Sequence, residues 1–228
     1  MAAYFLSKPI RSFSEKYLSP ADRFSEIIFG LIMVLTVTST LEITLPDTPA
    51  GMRSIVFAAL GCNAAWGIVD GVMYTLTSAF RRDRHIKLIS MIRSAPDKPS
   101  AAHAIENELS DTVIGTLGVR ERKRITREII KSTAHASPLD EGVTKDDVIG
   151  ALLLLLIEFS STFPVIVPFL FAASLRTAVR LSNVVAIGLL FAVGYEWAGY
   201  TCRSRIRVGV GMVLIGIAIV ATTVFLGG

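Results

Sequence analysis

Charge is scarce in this sequence. Only 18% of its 228 residues are Asp, Glu, Lys or Arg, against about 25% in an ordinary soluble domain. Cysteine is nearly absent: Cys62 and Cys202 both fall in apolar stretches, so no disulfide framework is available. No glycine-rich phosphate loop and no alternating β pattern occurs. The first residues have no continuous apolar run, because Lys8, Pro9, Arg11 and Lys16 interrupt it; the N-terminus is therefore read as uncleaved, not as a secretory signal. These shortages exclude a plain soluble enzyme, a disordered chain and a disulfide-rich secreted module.

The sequence is rich in apolar residues: 52% are hydrophobic and the mean hydropathy is +0.57. The few charges are also unevenly spread. Residues 81–147 hold 13 of the 23 Lys and Arg and 11 of the 19 Asp and Glu, leaving 18 charges for the other 161 residues. That pattern describes an all-α membrane protein with one polar insert. The net charge of +4 needs no nucleic acid partner, because basic residues at the cytoplasmic face of a membrane give the same sign.

Crossing a bilayer takes about 20 mostly apolar residues. Five stretches qualify, near 24–44, 54–80, 147–174, 182–202 and 206–226. Three basic regions flank them: the N-terminal arm with Lys8, Arg11, Lys16 and Arg23, the insert, and the turn with Arg203, Arg205 and Arg207. With five spans all three fall on one side, which places the N-terminus in the cytoplasm and the C-terminus outside. Arg176 and Arg180, in the loop before the fourth span, weigh the other way and are outnumbered. The organisation is an interfacial arm at 1–22, two spans in 23–80, a cytoplasmic helical insert at 81–146 and three spans in 147–228. The localisation is a multi-pass protein of the inner (plasma) membrane, with the lipid bilayer as its first partner.

The arm carries Tyr4, Phe5, Leu6, Ile10, Phe13, Tyr17 and Leu18 among basic residues, which suits a helix lying in the interface. Ser19-Pro20-Ala21-Asp22 reads as a cap that opens the first span. In the insert, a short helix is expected at 83–93. A second is expected from Ser100, with Ile105, Leu109, Val113 and Leu117 on one face, and a third near 119–134, ended by Ser137-Pro138. Thr144 with Asp147 fits a capping box for the third span. Gly209, Gly211 and Gly216 in the last span read as helix-packing positions.

Four acids lie inside the spans: Glu26, Asp70, Glu158 and Glu196. An ionisable residue at mid-bilayer costs roughly 2.5–3.5 kcal/mol or more. Counted from Phe80, Asp70 lies about 15 Å in, and counted from Asp147, Glu158 lies about 16 Å in, at 1.5 Å per residue. Both reach the middle of a core about 30 Å thick. Glu196 is about 10 Å deep, and Glu26 sits near the inner mouth. One reading is a cation pathway open to the cytoplasm. Asp70 and Glu158 form its inner site and share a proton that a cation would displace. The other is that each acid is protonated and hydrogen-bonded to a neighbouring helix.

Nearby residues admit similar pairs of readings. Met73, one turn from Asp70, and Met33 offer thioethers that favour transition metals, or they are apolar filler. Pro164 and Pro168 free backbone carbonyls that could ligate a cation, or only kink the helix. Gly67-x-x-x-Gly71 would let another helix approach closely, and dimerisation through the second span is one use of that. His85, His103 and His135 all lie in the insert, where His103 and Glu106 form an i,i+3 pair that could hold metal or belong to a solvated face.

Three segments carry a resemblance to a known family. They are Phe29-Gly30-Leu31-Ile32-Met33-Val34, the run Gly61-Cys62-Asn63-Ala64-Ala65-Trp66-Gly67-Ile68-Val69-Asp70-Gly71-Val72-Met73-Tyr74, and Phe163-Pro164-Val165-Ile166-Val167-Pro168-Phe169. Together with the order of spans, they resemble the vacuolar iron transporter family, most of all its short bacterial members, over about 20–228. The resemblance implies a homodimer that exports Fe²⁺, with Mn²⁺ as a second substrate, in exchange for protons. It implies a metal-gathering insert and a pore lined by an acid and methionines, a pattern matched by Asp70 and Met73. The family's Asp-Gly pair in the first span is absent, since Ile32-Met33-Val34 stand there. On this reading Asp70 and Glu158 bind metal and proton, Glu196 and Glu26 form the access path, and Met73 and Met33 tune selectivity. No prosthetic group and no enzymatic activity are expected. The alternative is a membrane-anchored scaffold or metal sensor that works through the 81–146 insert.

Overall fold

The computed structural model describes residues 8–133 and 142–226, and among them every regular element is helical. The elements are α1 (Lys8–Tyr17), α2 (Pro20–Thr44), α3 (Pro49–Ser94), α4 (Lys98–Leu109), α5 (Val119–Thr133), α6 (Lys145–Ile166), α7 (Leu175–Trp197) and α8 (Arg205–Phe225). Short 3₁₀ turns follow α4, α6 and α7 at Val113–Thr116, Val167–Leu170 and Ala198–Tyr200. Five helical segments, Pro20–Thr44, Pro49–Ser94, Lys145–Leu170, Leu175–Tyr200 and Arg205–Thr222, are long and apolar enough to cross a membrane. Many of their large side chains face outward, including Phe57, Val184 and Leu214, as a lipid-facing surface requires. The chain divides into two compact units, Met1–Tyr74 with Val148–Gly228, and Thr75–Asp147.

The first unit is built around α2. Leu31, Val34 and Leu35 of α2 are buried with Ala59 of α3, Val165 and Ile166 of α6, and Ala186, Leu190 and Val193 of α7. A second buried group joins Ile55 to Phe169, Leu175, Ala178 and Val179. The capping box opening α2 forms as the sequence predicts. The Asp22 N–H donates to Ser19 Oγ at 3.1 Å and the Ser19 N–H donates to Asp22 Oδ2 at 3.1 Å. The arm is helical over Lys8–Tyr17; Tyr4, Phe5 and Leu6 lie outside the described residues. The Tyr74 hydroxyl donates to the Tyr17 carbonyl at 2.7 Å, which fixes the end of α1 to α3. Gly209 and Gly216 do serve packing, against Phe191 and Leu190 of α7, whereas Gly211 faces open space.

α7 begins seven residues before the expected start of the fourth span. Ser174 caps it through Thr177, and the Leu175 N–H donates to Asp47 Oδ1 at 2.6 Å. Arg176 and Arg180 are therefore helical and not in a loop. Charge content hid this start, because a span bounded by its charges ends where arginine begins, while a helix ends where its caps are.

The second unit corrects three expectations. No separate helix stands at 83–93, because α3 continues unbroken to Ser94. No glycine or proline occurs from Val72 to Ser94 to stop it. Asp97, not Ser100, caps α4, accepting from the Ser100 N–H at 2.8 Å. The second helix stops at Leu109, since Thr112 caps a 3₁₀ turn through the Ile114 N–H, and such side chains compete with the helical ladder. Val113 is consequently exposed, and the small core consists of Ile92, Ala101 and Ile105 with Leu88, Leu109, Ile129 and Ile130 around them. The third helix spans Val119–Thr133, and Ser137-Pro138 lies outside the described residues. Arg82 donates to Asp147 Oδ1 at 2.9 Å and to the Gly142 carbonyl at 2.6 Å. Thr144 and Asp147 form the expected box, with the Thr144 N–H donating to Asp147 Oδ2 at 2.8 Å.

The Asp97 cap carries a pH prediction. Hydrogen bonds from Ser100 hold the Asp97 carboxyl below its ordinary value. A depressed carboxylate contributes stability above its unfolded pKa and loses it as pH falls through the folded one. The first turn of α4 should therefore fray below about pH 4, the ordinary carboxylate range. Hydrogen exchange at the Ser100 and Ala101 amides should accelerate there relative to the Ile105 amide; equal change at all three would contradict the cap's role.

Candidate metal site

Gly67, Gly71 and Tyr74 of α3 meet Leu155, Ala151 and Gly150 of α6 in reverse order, so the two helices pack antiparallel. A Cβ on Gly67 would lie 3.0 Å from Leu155 Cα, and one on Gly71 would lie 3.1 Å from the Ala151 carbonyl. The small-residue face of α3 is thus filled by α6 of the same chain. α2 closes on α6 as tightly: a Cβ on Gly30 would run into Ser161 Oγ and come within 3.2 Å of Glu158 Cγ. Trp66, on α3 beside this seam, meets the ring of Phe29 edge-on at 5.8 Å.

At this three-helix junction Glu26 of α2, Asp70 of α3 and Glu158 of α6 come together. One carboxylate oxygen from each lies within 4.8 Å of the other two. Glu158 is fully buried, while Glu26 and Asp70 are half-buried. Neither oxygen of Glu158 has a hydrogen-bond partner, and the same holds for Glu26 Oε2. Among the described residues, no Lys, Arg or His forms an ion pair with any of the three. Three like charges grouped in an apolar interior require compensating positive charge, either protons or a bound cation. Carboxylate oxygens are ligands for divalent cations.

The two acids that the sequence places at one depth meet here, joined by a third that it places nearer the surface. Residue counts locate a helix backbone, not the tip of a long side chain, so acids whose backbones stand at different depths can meet. Glu196 is half-buried near the end of α7 and stands outside the group. Met73 is 55% exposed, beside the outward-facing Val69, Val72 and Leu76. Met33 is half-buried, two turns beyond Glu26 on α2. In the insert, the His103 ring lies 3.4 Å from the Asn107 amide. No group of three metal-ligating side chains forms around His85 or His103 among the described residues. His135 lies outside them.

Sequence reasoning missed a second polar layer, one turn on along α6 and two turns on along α3. Asn63 of α3 is fully buried and donates from Nδ2 to the Gly30 carbonyl at 3.1 Å and to Thr162 Oγ1 at 2.6 Å. Thr162 is also fully buried. The available signal was register: Asn63 and Asp70 are i,i+7 on α3, and Glu158 and Thr162 are i,i+4 on α6, so each pair shares a face. The chain matches no protein-family model and no curated protein.

Proposed function

We propose that this chain is a transporter of divalent transition metal ions, Fe²⁺ or Mn²⁺, which exports metal from the cytosol in exchange for protons. The observation that carries the reading is the meeting of Glu26, Asp70 and Glu158 within 4.8 Å, with Glu158 fully buried and both its oxygens unpartnered. Loading a cation on these carboxylates displaces the protons that otherwise neutralise them. Release of the cation lets protons return, so metal and proton move in opposite directions through one site. Glu196 belongs to the access path, and Met33, half-buried on α2, tunes selectivity. The resemblance to the vacuolar iron transporters adds a homodimer in the inner membrane, with the N-terminus and the 81–146 insert in the cytoplasm.

The test is flux through the purified full chain in proteoliposomes. Fe²⁺, Mn²⁺ and Zn²⁺ uptake is followed with a metal-quenched dye inside the vesicles and a pH-reporting dye beside it. An imposed pH gradient should drive metal uptake with opposite proton movement. Absence of any metal flux under that gradient would leave the pore reading without support. The insert's own buried core at Ile92, Ala101 and Ile105 favours a second reading, a membrane-anchored scaffold or metal sensor. Metal binding to the chain without flux would point there.

A further inference from the structure

The transport reading leaves Asn63 unexplained. Asn63 is fully buried, and both of its amide hydrogens are committed, to the Gly30 carbonyl and to Thr162 Oγ1. A carbonyl can only accept, so the Gly30 contact fixes which end of the amide is nitrogen. The oxygen end is then fixed as well, and Asn63 Oδ1 has no hydrogen-bond donor. A flip of the amide would leave the Gly30 carbonyl facing an oxygen. Buried polar atoms of this kind are uncommon, and each one calls for an unseen water, an ion or a functional role.

Its register gives it a place. From the carboxylate level, Glu26 leads one turn along α2 to Gly30, and Glu158 leads one turn along α6 to Thr162. Asp70 leads two turns along α3, past Gly67, where a Cβ would lie 3.0 Å from Glu158 Oε2, to Asn63. A layer of three acids is thus followed, one turn on along α2 and α6 and two turns on along α3, by a layer tied by one carboxamide. The second layer carries no formal charge. A cation that leaves three carboxylates needs a next oxygen that binds it weakly enough to release it, since conduction requires sites that are easy to leave.

We infer that Asn63 Oδ1 is that next oxygen: a neutral carboxamide ligand, held in place by Gly30 and Thr162, that receives the cation or its coordinated water beyond the carboxylates. The two donated hydrogen bonds position the group, and the unpartnered oxygen does the binding. This rests on the transport reading and adds a second station to it.

The experiment is Mn²⁺ flux in proteoliposomes of the full chain, with three variants. Asn63→Leu removes both oxygen and amide. It should lower maximal Mn²⁺ flux at least tenfold while the KM for Mn²⁺ stays within threefold, because the carboxylates are untouched. Asn63→Asp keeps an oxygen but gives it a charge and loses the donor. It should lower the KM for Mn²⁺ at least threefold and also slow maximal flux, because a charged oxygen releases the cation less readily. A purely structural Asn63 predicts equal flux losses in Asn63→Asp and Asn63→Leu with the KM unchanged in both, and that result overturns the inference. If Asn63→Asp is not monodisperse, Thr162→Val decides. It removes one acceptor and leaves Oδ1, so flux within threefold of wild type supports a ligand role, and a loss equal to that of Asn63→Leu overturns it. Wild type that moves no Mn²⁺ overturns the transport reading and this inference together. Wild type that moves Mn²⁺ beside a fully active Asn63→Leu overturns this inference alone.

Discussion

Glu158→Gln should abolish metal flux, a loss of at least a hundredfold, and at the same time leave the fold as stable or more stable. The two effects have opposite signs for one physical reason. Glu158 is fully buried, with both oxygens unpartnered and two other carboxylates beside it. On the proposed reading its charge holds a divalent cation, yet it burdens the empty protein through desolvation and like-charge repulsion. Glutamine keeps the shape and removes the charge. Relief of such a functional burden is commonly worth about 0.5–2 kcal/mol. Thermal unfolding in detergent without metal, run beside Mn²⁺ flux, reads both effects. A variant that loses flux and also unfolds several degrees earlier would make Glu158 a structural residue. A variant with normal flux would remove the site.

Gly67→Val should damage the seam between α3 and α6. A Cβ at Gly67 already lies 3.0 Å from Leu155 Cα and 3.0 Å from Glu158 Oε2. The first neighbour is backbone and cannot swing away, so α3 and α6 must part. Overpacking of this kind costs about 1–3 kcal/mol, and the branched side chain would also occupy the space beside the carboxylate. Both stability and Mn²⁺ binding should fall, binding by at least tenfold. Gly61 supplies the control. It lies in the same helix, and nothing stands within 4 Å of a Cβ there, so Gly61→Val should change neither quantity appreciably. Equal effects at the two positions would show that helix propensity, not the α3–α6 seam, sets the outcome.

Local chemistry made some of this structure legible in advance. Ser19 with Asp22, and Thr144 with Asp147, sit in short motifs whose hydrogen bonds close within three residues, so no tertiary contact was needed to foresee them. The five apolar stretches were legible for a similar reason, since length and hydropathy are local sums. Asp70 and Glu158 could be matched in depth because each was counted from a nearby end of its own helix. The start of α7 escapes a span bounded by its charges, since Arg176 and Arg180 lie inside the helix, although Ser174 caps it locally through Thr177. The Asn63 layer was hidden for another cause: its partners, Gly30 and Thr162, lie on two other helices. The stop of α4 at Leu109 depended on a side chain, Thr112, that the apolar periodicity of the segment does not register.

The edge-on contact of Trp66 with Phe29 gives the molecule a built-in optical probe. The sequence has only two tryptophans. Trp197 stacks on Phe24 at 5.9 Å, with the rings tilted by 25°. Trp66 is 42% exposed and occupies the position next to Gly67, on the stretch of α3 between the carboxamide and the carboxylates. Its indole emission therefore samples the polarity and spacing beside the junction of α2, α3 and α6 that holds the three carboxylates, and a Trp197→Phe background leaves that emission as the only tryptophan signal from the chain.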